Sequence, residues 1–209
     1  MRKLLITIFG IITLLIANEG CRKDICLICI PDVDTSANFQ TTPYDFQSPP
    51  GFPTPVFADN NPLTIEGVAL GRKLFYDETW SNGGSTSCNT CHKQELSFSL
   101  GASCQATING TILPRDIMPL VNLAWKNSFA WDGRSRSLEE KIISTITNPL
   151  SMATTDSIIK LNIANDVIYQ ELYSKAFGSA DSISLNTTAK ALSQFIQIFI
   201  SNNSRYDEF

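Results

Sequence analysis

Ser87-Cys88-Asn89-Thr90-Cys91-His92 is the stretch on which the reading of this chain turns. Two cysteines separated by two residues and followed at once by histidine form the attachment pattern of a c-type haem. The spacing has a chemical reason. Each cysteine sulfur can add to one vinyl group of a porphyrin, and the next residue brings an imidazole to the iron as proximal ligand. His92 is the only histidine among the 209 residues, so no other imidazole competes for that role. A zinc site would want a second pair of soft ligands at similar spacing. The other close pair, Cys26 and Cys29, has no histidine beside it. That pair suits a small disulfide in an oxidising compartment, while Cys104 has no evident partner.

Outward from the motif, composition sets the bounds. Hydrophobic residues make up 43% of the chain and charged residues 17%, enough apolar material for a core. The length suits one domain once a leader and a tether are set aside. A net charge of -4 and a pI of about 5.0 argue against nucleic acid, which wants a basic patch. They are compatible with a small basic redox partner. Arg2 and Lys3 open a leader in which Leu4 to Ala17 is uncharged and mostly apolar. That run is shorter than the roughly 20 residues of a membrane span and has the size of a secretory core. Cys21 follows, with Gly20 before it and Arg22 and Lys23 after it. This resembles a bacterial lipoprotein cleavage site, although Asn18 stands where a small residue is usual. The expectation is a signal peptide over residues 1–20, of lipoprotein type with Cys21 carrying lipid, the alternative being cleavage to a soluble exported protein. The protein is then exported to the periplasm and touches a membrane only through that anchor.

Residues 21–60 read as a tether rich in Pro, Asp and Ser. Pro49-Pro50-Gly51-Phe52-Pro53-Thr54-Pro55 cannot be helical and should run extended on a surface. Order is expected from residue 61. Thr64 suits an N-cap and Glu66 a first turn, ahead of a stripe of Ile65, Ala69, Leu70, Leu74 and Phe75. Gly67 and Gly71 share one face of that helix. Either they admit a second backbone or a flat porphyrin, or they are simply tolerated. Helix signals return at Leu120 to Trp125, and again as Leu138, Ile142, Ile143 and Ile146, stopped by Pro149. Asp166 caps a helix carrying Ile168, Leu172 and Ala176 that ends at Gly178. A last helix opens at Asn186 or Thr187 and aligns Ala189, Leu192, Phe195, Ile196 and Phe199. No stretch alternates with period two. The expected fold is all-α, a c-type cytochrome domain over residues 61–209 with helices around one covalently bound haem.

These residues also spell a resemblance. Glu66-Gly67-Val68-Ala69-Leu70-Gly71-Arg72-Lys73-Leu74-Phe75-Tyr76-Asp77, the haem motif, Arg115-Asp116-Ile117-Met118-Pro119-Leu120-Val121-Asn122, Phe129-Ala130-Trp131-Asp132-Gly133-Arg134 and the stretch from Ile196 to Asp207 are together similar to the N-terminal haem domain of bacterial dihaem cytochrome c peroxidases. The resemblance implies reduction of hydrogen peroxide to water with electrons from a small cytochrome or copper protein. It implies one haem c held by Cys88, Cys91 and His92. It makes Trp131 an electron-relay candidate, against the alternative of a core aromatic packed on haem. Arg115 and Arg134 would pair with haem propionates or with Asp132. Asp116 stands near the family's inter-domain calcium, but one carboxylate does not establish such a site.

Four departures accompany the matches. The sequence has no second Cys-x-x-Cys-His, so the expectation is that a second haem comes from a domain on another chain or does not exist. With a single histidine, His92 has no histidine opposite it in this sequence. The sixth iron position is then open, water-bound or filled by another residue, with Met118 and Met152 as soft candidates and Lys141 or Lys93 behind them. Ser151 takes the place of a glutamate that shuttles protons in the family, and a hydroxyl cannot accept a proton near neutral pH as a carboxylate can. Lys141 stands where the family carries glutamine. Glu139 and Glu140 are expected to face water. These departures leave open a monohaem electron-transfer protein or an impaired family member.

Overall fold

Thr64 adopts an extended conformation and its hydroxyl accepts the Gly67 amide at 3.1 Å, which starts helix α1 (Ile65–Tyr76). This is a computed structural model, and it describes residues 39–55, 57–101 and 115–207. The chain divides into two units, 1–39 and 40–209, and only the second is considered below. The signal peptide, Cys21 and the Cys26–Cys29 pair lie outside the described residues, as does Cys104.

The remaining helices are α2 (Cys88–Cys91), α3 (Leu138–Ile146), α4 (Asp156–Ile163), α5 (Val167–Phe177) and α6 (Leu185–Gln197). The described residues contain no strand, only isolated bridges such as Phe129 with Ser135. The fold is all-α, as expected. Several details differ from the sequence reading. The last helix is capped by Ser184, whose hydroxyl accepts the Thr187 amide. The inward face of α5 is Tyr169, Tyr173 and Ala176, while Ile168 is 58% exposed. The shift by one position lets two tyrosines bury their rings and still satisfy their hydroxyls, Tyr169 on Asp77 and Tyr173 with Thr188. Helix α4 was not foreseen, because Leu161 on it is 80% exposed and breaks the apolar period. Leu120 to Trp125 yields only one tight turn, Leu123–Trp125.

Helices α1 and α6 form the spine. Gly67 and Gly71 are where they touch. A methyl built on Gly71 would overlap the Ala191 carbonyl, and one on Gly67 would overlap the Gln194 side-chain amide. The space beside both glycines is filled by protein rather than by a porphyrin: a second backbone at Gly71 and a side-chain amide at Gly67. Gln194, 3% exposed, accepts from the Thr64 amide and hydroxyl and donates to Asn61. Asn61 donates in turn to Glu139, which also accepts from Ser193. A buried polar chain that satisfies every member fixes the register of α1, α3 and α6.

The Pro-rich segment before α1 is not a simple extended run. It turns at Pro50-Gly51, where the Phe52 amide donates to the Pro49 carbonyl at 3.1 Å and Gly51 takes a φ of 84°, and it is pinned to the fold. Trp125 donates from its indole to the Pro53 carbonyl at 2.6 Å and packs edge-on against Phe52. Phe46 meets both Phe57 and Trp125. Residues 40–60 therefore belong to the compact unit, where the sequence reading placed a tether.

Two predictions follow from this packing. In an unconstrained helix Gly→Ala stabilises by about 1 kcal/mol. Here Gly71→Ala should instead destabilise by about 1–3 kcal/mol, the usual range for overpacking, read as a lower urea midpoint. The second concerns Asp77. Burial alone would raise its carboxyl, but the Lys73 ammonium, the Thr79 amide and hydroxyl and the Tyr169 hydroxyl outweigh it and hold it at about 2. A carboxyl depressed in the folded state stabilises above its ordinary range and loses that contribution as pH falls toward 2. Asp77→Asn should cost roughly 1–2 kcal/mol at neutral pH, allowing for solvent at Lys73. It should also flatten the stability decline between about pH 4 and pH 2 in acid titrations of unfolding.

Candidate functional site

Cys88 and Cys91 open and close α2, a single turn entered through Ser87. The Ser87 amide donates to the Thr90 hydroxyl at 3.0 Å, which fixes the approach of the chain. One turn of helix puts the two sulfurs on neighbouring positions and delivers His92 just past its end. Both thiols are half-buried and free. Burial pushes the Cys88 thiol up to about 12, with the neighbouring Cys91 adding to it.

After His92 the chain folds back sharply. The Lys93 amide donates to the Ser99 carbonyl and the Phe98 amide to the Lys93 carbonyl. Ser97 and Phe98 both take left-handed backbone conformations, with φ of 58° and 55°. Such angles are unusual for these residues and persist only when the surroundings enforce them. The enforcement is visible. The Phe98 ring lies flat on Phe199 with centroids 3.9 Å apart, and Phe199 sits edge-on to Phe195. The result is that the Phe98 carbonyl lies 2.7 Å from His92 Nδ1. A carbonyl only accepts, so Nδ1 carries the proton and Nε2 keeps its lone pair for a metal. Burial, first among the influences on His92, also favours the neutral ring. The Phe98 carbonyl opposes it, the Lys141 charge reinforces it, and the main chain at Met118 opposes it. Phe98 is a positioning residue that the sequence did not reveal. Its role lies in a main-chain oxygen, and only the aromatic character that anchors it can be read from the letters.

His92, Cys88 and Cys91 face a cavity of about 860 Å³. This is near the upper end of small-ligand and cofactor sites, roughly 300–1,000 Å³. Arg115, Met118, Trp131 and Arg134 line the same cavity, as do Lys141, Ser151 and Met152. The structure thus gathers these sequence candidates around one space, whereas Lys93 is not among its lining residues. Met152 is 4% exposed and packs in the core. Trp131 lines the cavity and its indole donates to the Asp116 carbonyl at 3.1 Å. Arg134 Nε reaches Asp132 at 3.0 Å and Arg115 reaches it at 3.9 Å. Glu140 is exposed, whereas Glu139 is half-buried and engaged by Asn61 and Ser193. Among the described residues no three His, Cys, Asp or Glu side chains are grouped as a metal cluster. No helix among them is long and apolar enough to cross a membrane.

The fit to a c-type haem rests on the donor chemistry. Two thiols, one imidazole with its outer nitrogen held by a carbonyl, an apolar-walled space and cations for two propionates meet at one cavity. The comparisons agree. The di-haem cytochrome c peroxidase family pattern matches residues 65–209. The chain is 36% identical over 164 residues to the methylamine utilization protein MauG of Methylorubrum extorquens, covering 78% of this chain and 46% of that protein. It is 30% identical over 155 residues to the cytochrome c551 peroxidase of Nitrosomonas europaea, covering 71% of this chain and 44% of that one. The crystal structure of a MauG-like protein associated with microbial copper homeostasis matches with a TM-score of 0.74 at 28% identity, over 79% of this chain and 49% of the other. The chain spans less than half the length of each of these three relatives. With its helices, its cavity and its thiol–imidazole trio all in accord, it belongs to the di-haem cytochrome c peroxidase family.

Proposed function

We propose that this chain is a haem c domain that reduces hydrogen peroxide with electrons from a small redox protein. The observation that carries the reading is the His92 Nδ1–Phe98 carbonyl bond beside two free thiols on one cavity wall. Each thiol adds its S–H across a vinyl group, forming a thioether with no change in electron count. His92 Nε2 serves as proximal ligand. When bound, haem would supply the redox chemistry for peroxide. Arg115 and Arg134, which share Asp132 between them, would hold the propionates. Trp131, on the cavity lining, is the entry point for electrons. Export to the periplasm, with a lipid on Cys21, belongs to the same proposal.

A second reading, electron transfer without efficient turnover, has its own observation. Asp116 is the carboxylate among the described cavity-lining residues, and Ser151 contributes only a hydroxyl. The proton relay that cleaves O–O bonds is then weakened, a loss worth about 10²–10⁴-fold. Met118 as sixth ligand would belong to this second reading.

The test begins with the exported, full-length chain in a host that attaches haem. Cys88→Ala with Cys91→Ala should abolish covalent haem, read by haem staining after denaturing electrophoresis, whereas each single change leaves one thioether. The ferric protein should show a high-spin or water-bound spectrum, unchanged in Met118→Ala. A methionine–iron band near the red end would reject the peroxidase reading. Ser151→Glu should raise peroxide turnover by about 10²-fold, measured with a reduced small cytochrome as donor. No gain, with haem spectra intact, would favour the electron-transfer reading.

A further inference from the structure

The cations around the cavity are not equivalent. Arg115, Lys126 and Arg134 are exposed, and two of them already lean on Asp132. Lys141 is half-buried on the inner wall, on the same helix as the apolar lining residues Leu138, Ile142 and Ile146. Its ammonium donates to the Thr145 hydroxyl one turn further on, at 2.9 Å. That hydroxyl commits its own proton to the Lys141 carbonyl, also at 2.9 Å. An ammonium has three donors, so two remain without an acceptor among the described contacts. No ion pair among the described residues involves Lys141. The acidic residues beside it on α3 are occupied elsewhere. Glu139 accepts from Asn61 and Ser193, and Glu140 accepts the Arg136 amide at 2.7 Å.

A half-buried cation among apolar side chains is costly until a counter-charge joins it. Burial pushes the Lys141 ammonium down from its ordinary range, with the Arg134 charge acting in the same direction and Asp132 against it. The Lys141 charge is also felt at His92, the axial imidazole of the proposed haem. The cation and the ligand therefore act on the same space.

We propose that Lys141 makes the inner part of the cavity a site for small inorganic anions, so that a ligand entering beside the haem iron is held in its anionic form. Azide, fluoride and the hydroperoxide anion share that chemistry. Thr145 orients the ammonium and the two spare N–H donors grip the ligand. The proposal rests on the haem reading above and deepens it by naming the charge class of what enters.

The experiment uses the full chain loaded with haem. The ferric protein is titrated with azide, an anion, and with imidazole, a neutral ligand, and followed by its absorption bands. Lys141→Gln and Lys141→Met should weaken azide by about tenfold or more while leaving imidazole within about twofold. Lys141→Arg should keep azide binding near that of the parent. Two neutral variants guard against one that fails to fold. Equal changes for both ligands, or azide binding that the neutral variants do not move, would overturn the proposal. So would a parent protein that refuses both ligands until Lys141 is replaced, because the amine itself would then hold the iron. A colourless parent defeats the haem reading and this site together, whereas a coloured parent with an unmoved azide-to-imidazole ratio defeats the site alone.

Discussion

A single main-chain oxygen aims the only imidazole of this protein. The Phe98 carbonyl accepts the proton of His92 Nδ1 at 2.7 Å, and this leaves Nε2 as the donor for a metal. Holding that carbonyl in place requires two consecutive left-handed residues, Ser97 and Phe98. Their backbone strain is offset by a ring stack between Phe98 and Phe199. Phe199 follows α6 and packs with Phe195, so the axial ligand is tied to the packing at the end of that helix. The aromatic cluster and the haem motif are therefore one mechanical unit, although more than a hundred residues lie between His92 and Phe199 along the chain.

The rest of the fold serves to bring α6 to that point. Gly71 lets α1 and α6 meet backbone to backbone, and Gly67 makes room for the Gln194 amide. The Gln194–Asn61–Glu139 chain then fixes their register against α3, which supplies the inner wall of the cavity. A side chain at either glycine would separate the helices, and the cavity wall would move with them. The polar chain also explains why Glu139 is unavailable as a proton carrier. Its carboxylate is a structural acceptor, engaged by the Asn61 amide and the Ser193 hydroxyl.

Much of this was legible in the letters. The haem motif, the Thr64 and Asp166 caps, the Gly178 stop and the apolar stripes of α3 and α6 all follow from local rules. Local rules failed where a distant partner decided the outcome. Tyr169 and Tyr173 displaced the apparent stripe of α5, because Asp77 and Thr188 satisfy their hydroxyls inside the core. The Pro-rich segment looked like a free tether until Trp125 donated to Pro53 across the sequence. Trp131 is placed by its bond to the Asp116 carbonyl, a partner that the local pattern does not reveal.

The sequence by itself determined the chemistry. Cysteine, cysteine and histidine at that spacing define the attachment site, and a single histidine limits what can stand opposite. Tertiary structure alone decided the geometry. It selected the imidazole tautomer through Phe98, gathered Arg115, Trp131, Lys141 and Ser151 around one cavity, and left Lys141 half-buried without an ion partner among the described residues. The physical reason is range. Covalent spacing and helix period act over a few residues, whereas burial, ring stacking and the field of a charge act through space between residues that the chain keeps far apart.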